Sequence, residues 1–318
     1  MRTTPLEPIG WERLSVETMN WWTLRNFNKS PGTLRGMALM LFSGLCIAVM
    51  SACVRHVSGE VHPTVIGFFR TLFGLLAFVP FLLRSGLEPL KTRRVGLHAV
   101  RGALNVIGML TYYMAVSLVP LAKVTALSFS APLFATVLAL IVLGETIRAR
   151  RVTALIVGYL GTLIILRPGL VALDAGSLYA LASAAAWGLG MIVIKVLSRS
   201  ESSLTITLYM TLVAMPLTLI AAVPVWQTPT LTQAAWLAAI GALASLGNLT
   251  VAQAFKEADL TAILPLDFTK LIWASGIGYL SFAEEPSPWT WFGGTIIFSA
   301  ATYIAFRERR ARAAPDKK

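Results

Sequence analysis

From Arg35 onward the chain alternates apolar runs of about twenty residues with short polar punctuation. Ten such runs fall at roughly 36–54, 64–83, 97–117, 121–143, 152–167, 176–197, 203–224, 232–252, 260–281 and 289–306. Most are long enough to cross ~30 Å of hydrocarbon as a helix rising ~1.5 Å per residue. Between them, "RSGLEPLKTRR", "GETIRARR", "RPGLVALDAG" and "EEPSPW" gather the glycines, prolines and charges that end helices. The pattern predicts an all-α polytopic membrane protein with ten transmembrane helices.

Composition sharpens this picture. The 318 residues are 56% hydrophobic and 13% charged, too few charges to clothe a soluble surface. A net charge of +12 would suit nucleic acid, but the cations sit in connectors and tails, so they read as topology signals and nucleic acid is excluded. With a cytoplasmic N-terminus, the inside connectors collect Arg84, Lys91, Arg93 and Arg94, then Arg148, Arg150 and Arg151, then Arg199 and Lys256. The positive-inside bias thus puts both termini in the cytoplasm. Residues 1–35, including "NWWTLRNFNK", are expected to form a cytoplasmic tail, and 307–318 a basic one.

A repeat is visible within the chain. "GMLTYYMAVSLVPLAKVTALSFSAPLFATVLALIVLGE" aligns without a gap on "GNLTVAQAFKEADLTAILPLDFTKLIWASGIGYLSFAE", at an offset of 139 that lays Gly108 on Gly247, Phe129 on Phe268 and Glu145 on Glu284. An offset of 140 lays Arg55 on Lys195. Two units of about five helices result, 36–169 and 170–306. Because five is odd, the second unit must run inverted relative to the first, an arrangement found in secondary transporters with the substrate site between the copies.

These segments resemble the EamA branch of the drug/metabolite transporter superfamily. "RGALNVIGMLTYYMAVSLVPLAKVTALSFSAPLFATVLALIVLGE" is similar to its third and fourth helices, including Pro132 and the helix-ending Glu145. "LPLDFTKLIWASGIGYLSFAEEPSPWTWFGG" is similar to the ninth and tenth helices of a subgroup holding bacterial S-adenosylmethionine and riboflavin importers. The resemblance implies ten helices in two inverted repeats and a transport function. Position 271 departs from it: Leu271 stands where many relatives keep proline, and Pro265 precedes it instead, so the ninth helix is expected to break elsewhere.

A charge near the bilayer centre is costly and tends to face protein or a watery cavity. Four charged residues qualify: Arg70, Lys123, Asp267 and Lys270. Asp267 and Lys270 stand one turn apart and can pair, either as a structural bridge or as a cavity-lining pair that binds substrate or proton. Lys123 either snorkels to water or faces the cavity mouth. Arg70 is expected to pack or gate while bonded to backbone carbonyls. Glu145 and Glu284 read as helix ends with structural or gating roles, Glu145 solvated beside basic residues. Among the uncharged groups, Tyr113, Trp187, Asn248 and Thr269 are the expected substrate contacts, while Pro132 and Pro265 shape the backbone. Gly158, Gly161, Gly241 and Gly247 are expected to admit close helix packing.

Cys46 and Cys53 read as small buried hydrophobes, and no metal or cofactor is expected. An intramembrane enzyme using Asp267 lacks a second catalytic group in a familiar spacing, and no Walker loop or HExxH motif occurs. The expected function is therefore secondary transport of a small organic metabolite across a bacterial inner membrane by alternating access. Import of a zwitterionic or aromatic metabolite comes first and export of amino acids or drug-like compounds second. Expected partners are the lipid bilayer, the substrate, a proton or counter-solute, and a homodimer as an open option.

Overall fold

The computed structural model describes residues 31–85, 92–143, 149–167, 174–197, 200–201, 203–257 and 264–313. Among these residues there is no strand, and eleven α-helices follow in order. They are α1 (Pro31–Val57), α2 (Pro63–Ser85), α3 (Val95–Leu118), α4 (Leu121–Ser128), α5 (Ala131–Leu143), α6 (Ala149–Leu166), α7 (Ala175–Leu197), α8 (Ser203–Ala222), α9 (Leu231–Glu257), α10 (Thr269–Phe282) and α11 (Pro288–Ala313). Among the described residues, five stretches are long and apolar enough to cross a membrane: Leu34–Val57, Val95–Leu118, Ala175–Ile194, Thr205–Val225 and Leu231–Val251. Shorter apolar stretches lie at Pro63–Leu76, Leu121–Ala135 and Ile156–Leu166.

Over the described residues the expected spans are occupied by helix, apart from the differences below; residues 260–263 of the ninth lie outside the described residues. The fourth, expected to be continuous over 121–143, is broken at Phe129 and Ser130 into α4 and α5. Pro132 explains this: it has no N–H to offer the carbonyl four residues back, and its ring would crowd that carbonyl. The chain closes the gap with tighter bonds, Phe129 N–H to Ala126 O at 3.3 Å and Ser130 N–H to Leu127 O at 3.0 Å. In the second repeat a 3-10 turn, Leu264–Phe268, gives way to α10 at Thr269. That 3-10 turn holds Pro265 and aligns with 125–129, which is α-helical up to Ser128 in the first copy, so the two copies differ in where regular helix gives way. At the termini, α1 starts at Pro31 rather than 36, and α11 carries the basic segment as helix to Ala313, since Arg is a good helix former.

Helix packing repeats between the two halves. α1 packs on α9 as α3 packs on α7, α2 packs on α9 as α8 packs on α3, and α6 pairs with α11. The atomic contacts repeat as well. Ser43 donates to Gly247 O at 2.8 Å, and Ser183, aligned with Ser43, donates to Gly108 O at 2.7 Å. A Cβ on Gly102 would lie 2.5 Å from Val213, and one on Gly241 would lie 2.6 Å from Phe73, the residue aligned with Val213. Glycine at these positions lets the helix backbones approach closely where hydrophobicity alone gives no drive in lipid. The main core runs through Val54, Ile66, Val116, Leu121, Leu127 and Leu237, all buried.

Candidate functional site

A cavity of about 680 Å³ lies between the halves, bounded by α1, α3, α7, α9, the α4–α5 break, the start of α10 and α11. Its wall is built largely from positions that the 139 or 140 offset pairs: Ile47 with Trp187, Ser51 with Met191, Asn105 with Ala244, Met109 with Asn248, Tyr112 with Val251, Ser128 with Asp267, and Ala131 with Lys270. The positions match and the chemistry does not. In each pair one copy supplies a polar, aromatic or charged group and the other mostly a small or apolar one.

Asp267 sits in the 3-10 turn and Lys270 in the first turn of α10, and their side chains form an ion pair on the cavity wall. A Cβ on Gly44 would come 3.3 Å from the Lys270 stem, so α1 leaves room for it. Trp187 lies against Gly108, whose Cβ would fall 2.6 Å from the indole Nε1. The indole meets Tyr112 at a centroid distance of 5.3 Å, and Tyr112 shares a 3.0 Å hydrogen bond with Ser51. Tyr113, 1% exposed, points its hydroxyl at Met50 Sδ, 3.9 Å away. At the two helix breaks, Phe129 and Phe268 approach to 5.8 Å, and Phe298 of α11 completes the cluster.

Arg70 also faces the cavity. Its Nη1 donates to Met109 Sδ at 2.9 Å, a thioether in place of the expected carbonyls. Asn248 and Pro132 line the cavity, while Pro265 falls in the 3-10 turn. Thr269 does not reach the wall, because its hydroxyl donates back to Leu266 O at 2.6 Å. Glu145 lies outside the described residues.

Lys123 and Glu284 belong to a layer at one end of the cavity. Lys123 binds Asp174 at 2.6 Å, and Asp174 also caps α7 by accepting from the Ser177 amide at 2.6 Å and the Ser177 hydroxyl at 2.9 Å. Partial burial pushes the Asp174 carboxyl up, but the bonds from Lys123 and Ser177 outweigh it and hold it below the usual carboxylate range.

Glu284 is buried, its side chain 8% exposed, and pairs with Arg55 at 3.3 Å. It accepts from the Leu121 amide at 2.9 Å, satisfying an orphan donor at the start of α4. Arg55 in turn donates to Val116 O at 2.7 Å. These bonds join α1, α3, α4 and α10. At the opposite end, α1 and α9 are linked by Arg35 and Glu257 at 3.2 Å, with the Arg35 side chain 72% exposed.

Sequence reasoning missed Arg101, which lines the cavity from α3 beside Asn105. Its Nε and Nη1 are buried and find no hydrogen-bond partner among the described residues. It also missed Asp174, whose "LDAGS" context reads as a plain helix cap. Among the described residues, no group of three or more His, Cys, Asp or Glu side chains is placed to hold a metal ion.

The geometry agrees with what the chain is similar to. The S-adenosylmethionine uptake transporter of Rickettsia bellii (strain RML369-C) is 30% identical over 276 residues, 87% of this chain and 95% of that protein. The riboflavin transporter of Vibrio cholerae is 30% identical over 277 residues, covering 85% and 93% respectively. The pseudopaline exporter CntI of Pseudomonas aeruginosa is 28% identical over 277 residues, covering 85% and 95%. A solved crystal structure superposes with a TM-score of 0.56 at 19% identity, over 88% of this chain and 98% of that one, which shows a shared fold. The model of the EamA-like transporter family matches twice, at residues 34–167 and 174–306. This multi-pass membrane protein belongs to the EamA-like transporter family.

Proposed function

We propose that the protein is a secondary active transporter of the bacterial inner membrane that imports a zwitterionic or aromatic metabolite of the S-adenosylmethionine or riboflavin kind by alternating access. The observation that carries this reading is the cavity between two segments that each match the family model, lined at positions the repeat pairs. Two inverted five-helix copies, 36–169 and 170–306, account for the reciprocal packing of α1 on α9 and α3 on α7 and for the duplicated Ser–Gly bonds. Tyr112 and Trp187 supply a stacking wall for a planar ring, and Asp267, Lys270 and Asn248 supply polar contacts.

With both termini cytoplasmic, the Arg55–Glu284 and Lys123–Asp174 layer lies at the outer end, and the described form is closed there. Alternating access then requires that this partly buried layer part while the Arg35–Glu257 end closes. No nucleotide-binding loop is present in the sequence, so a proton gradient or solute exchange supplies the energy. A second reading, export, is favoured by the likeness to the pseudopaline exporter.

The test is reconstitution of the purified chain in liposomes, with initial rates for labelled S-adenosylmethionine, riboflavin and an amino-acid panel in both directions, with and without a pH gradient. Saturable uptake of S-adenosylmethionine or riboflavin supports import, and outward-only flux supports export. Rates equal to those of protein-free liposomes for every solute would contradict transport of these classes.

A further inference from the structure

Charge is out of balance in the cavity. Its described lining carries three cations, Arg70, Arg101 and Lys270, and one carboxylate, Asp267. Lys270 is matched by Asp267. Arg70 has its Nη1 on a thioether, a weak acceptor, and its Nε without a partner. Arg101 has two buried nitrogens without a hydrogen-bond partner among the described residues. A guanidinium offers five donors in a planar fork that suits a carboxylate or phosphate, and a buried one left unmatched is unfavourable unless something fills the fork.

The surroundings of Arg101 are built for an occupant. Gly190 of α7 faces its guanidinium, and a Cβ there would stand 3.2 Å from Nη1. Trp187 precedes Gly190 by three residues on the same helix, so ring and guanidinium flank neighbouring parts of the wall, about one ~5 Å helical turn apart. Asn105 follows Arg101 by one turn on α3 and adds an amide donor. The residue that the repeat aligns with Arg101 is Ile240, which is fully buried in the core, so the fold itself does not require a cation at this position.

We propose that Arg101 is the anion subsite of this cavity and that the transported solute carries a carboxylate or phosphate about one helical turn from a planar ring resting on Trp187. This rests on the transporter reading and narrows its substrate class: the acidic group binds Arg101, while Lys270 is occupied by Asp267. A substrate anion supplies the charge-assisted bonds that the Arg101 Nε and Nη1 lack among the described residues.

The experiment compares matched ligand pairs on the purified full-length protein: indole-3-acetate against indole-3-acetamide for a carboxylate, and riboflavin 5′-phosphate against riboflavin for a phosphate. Binding is measured by titrating tryptophan fluorescence or by ligand-induced thermal shift. The parent should bind at least one charged member about tenfold more tightly than its neutral partner. Which pair shows the preference distinguishes carboxylate from phosphate.

Arg101→Gln should erase the preference while leaving the neutral member's affinity within about twofold, and Arg101→Lys should restore part of it. Asn105→Asp, which gives Arg101 an internal carboxylate four residues on, should erase it without removing the guanidinium. A preference that survives both R101Q and N105D overturns the proposal. So does a parent that favours neutral members or binds none of the four compounds. Liposome uptake of a neutral or cationic solute by that same parent would leave the transporter reading standing.

Discussion

Ser183 donates its hydroxyl to the carbonyl of Gly108 at 2.7 Å, locking α7 onto α3 one turn before Trp187 enters the cavity. The aligned bond from Ser43 to Gly247 holds α1 onto α9, but there Ile47 occupies the place of Trp187. One copy of the contact therefore holds the bundle together, and the other also presents an aromatic wall to the cavity.

Glycine at 108 should consequently matter more than glycine at 247 or 96. A Cβ there meets the indole of Trp187 at 2.6 Å, a contact that cannot exist without moving the ring. Gly108→Ala is expected to cost ~1–3 kcal/mol through overpacking and to lower substrate affinity. Gly247→Ala, 3.2 Å from the flexible Ile47 Cγ1, should cost less. Gly96→Ala, with open space around it, should be neutral or stabilising. Thermal melts of the three variants in detergent check this order; equal effects would contradict it.

Arg55 and Glu284 should behave as one unit. Arg55→Ala leaves the buried Glu284 carboxylate without its cation and should destabilise by ~3 kcal/mol, while Glu284→Ala leaves a partly exposed Arg55 that still donates to Val116 O and should cost less. The double variant should then be little worse than the costlier single. A double-mutant cycle on melting temperature tests this, and strictly additive losses would show that the pair is not coupled.

Asp174 gives a pH signature. Its folded carboxyl lies below the ordinary carboxylate value of 3.8, so it binds fewer protons than the unfolded chain does near that pH. Its contribution to stability is therefore fully present above about pH 4 and lost as pH falls through the lower folded value. The melting-temperature gap between the parent and Asp174→Asn should stay constant from neutral pH down to about pH 5 and shrink in strong acid. A gap that opens instead near neutral pH would contradict the assignment.

The spans were legible in the sequence because lipid leaves the chain few options: runs of twenty apolar residues must be helices. The repeat was legible because glycines, Phe129 with Phe268 and Glu145 with Glu284 stand out against an apolar background. The break at Phe129 was not read, although Pro132 three residues on was its signal. Arg101 was missed because it stands near the start of α3, where a cation looks like a topology signal. Only the fold shows it among Asn105, Gly190 and Trp187 with no ion-pair partner among the described residues. Glu284 carried no sign that Arg55, far away in the chain, would cover it. Thr269 and Lys123 had several available partners, and local geometry gave them Leu266 O and Asp174.

The central claim is that solute passes through the cavity and contacts the pair on the broken ninth segment, which the first copy replaces with Ser128 and Ala131. Initial-rate uptake in proteoliposomes by Asp267→Asn and Lys270→Ala beside the parent tests it most directly. Each variant should reach the membrane folded and transport at least tenfold more slowly. Variants that transport at the parental rate would contradict it.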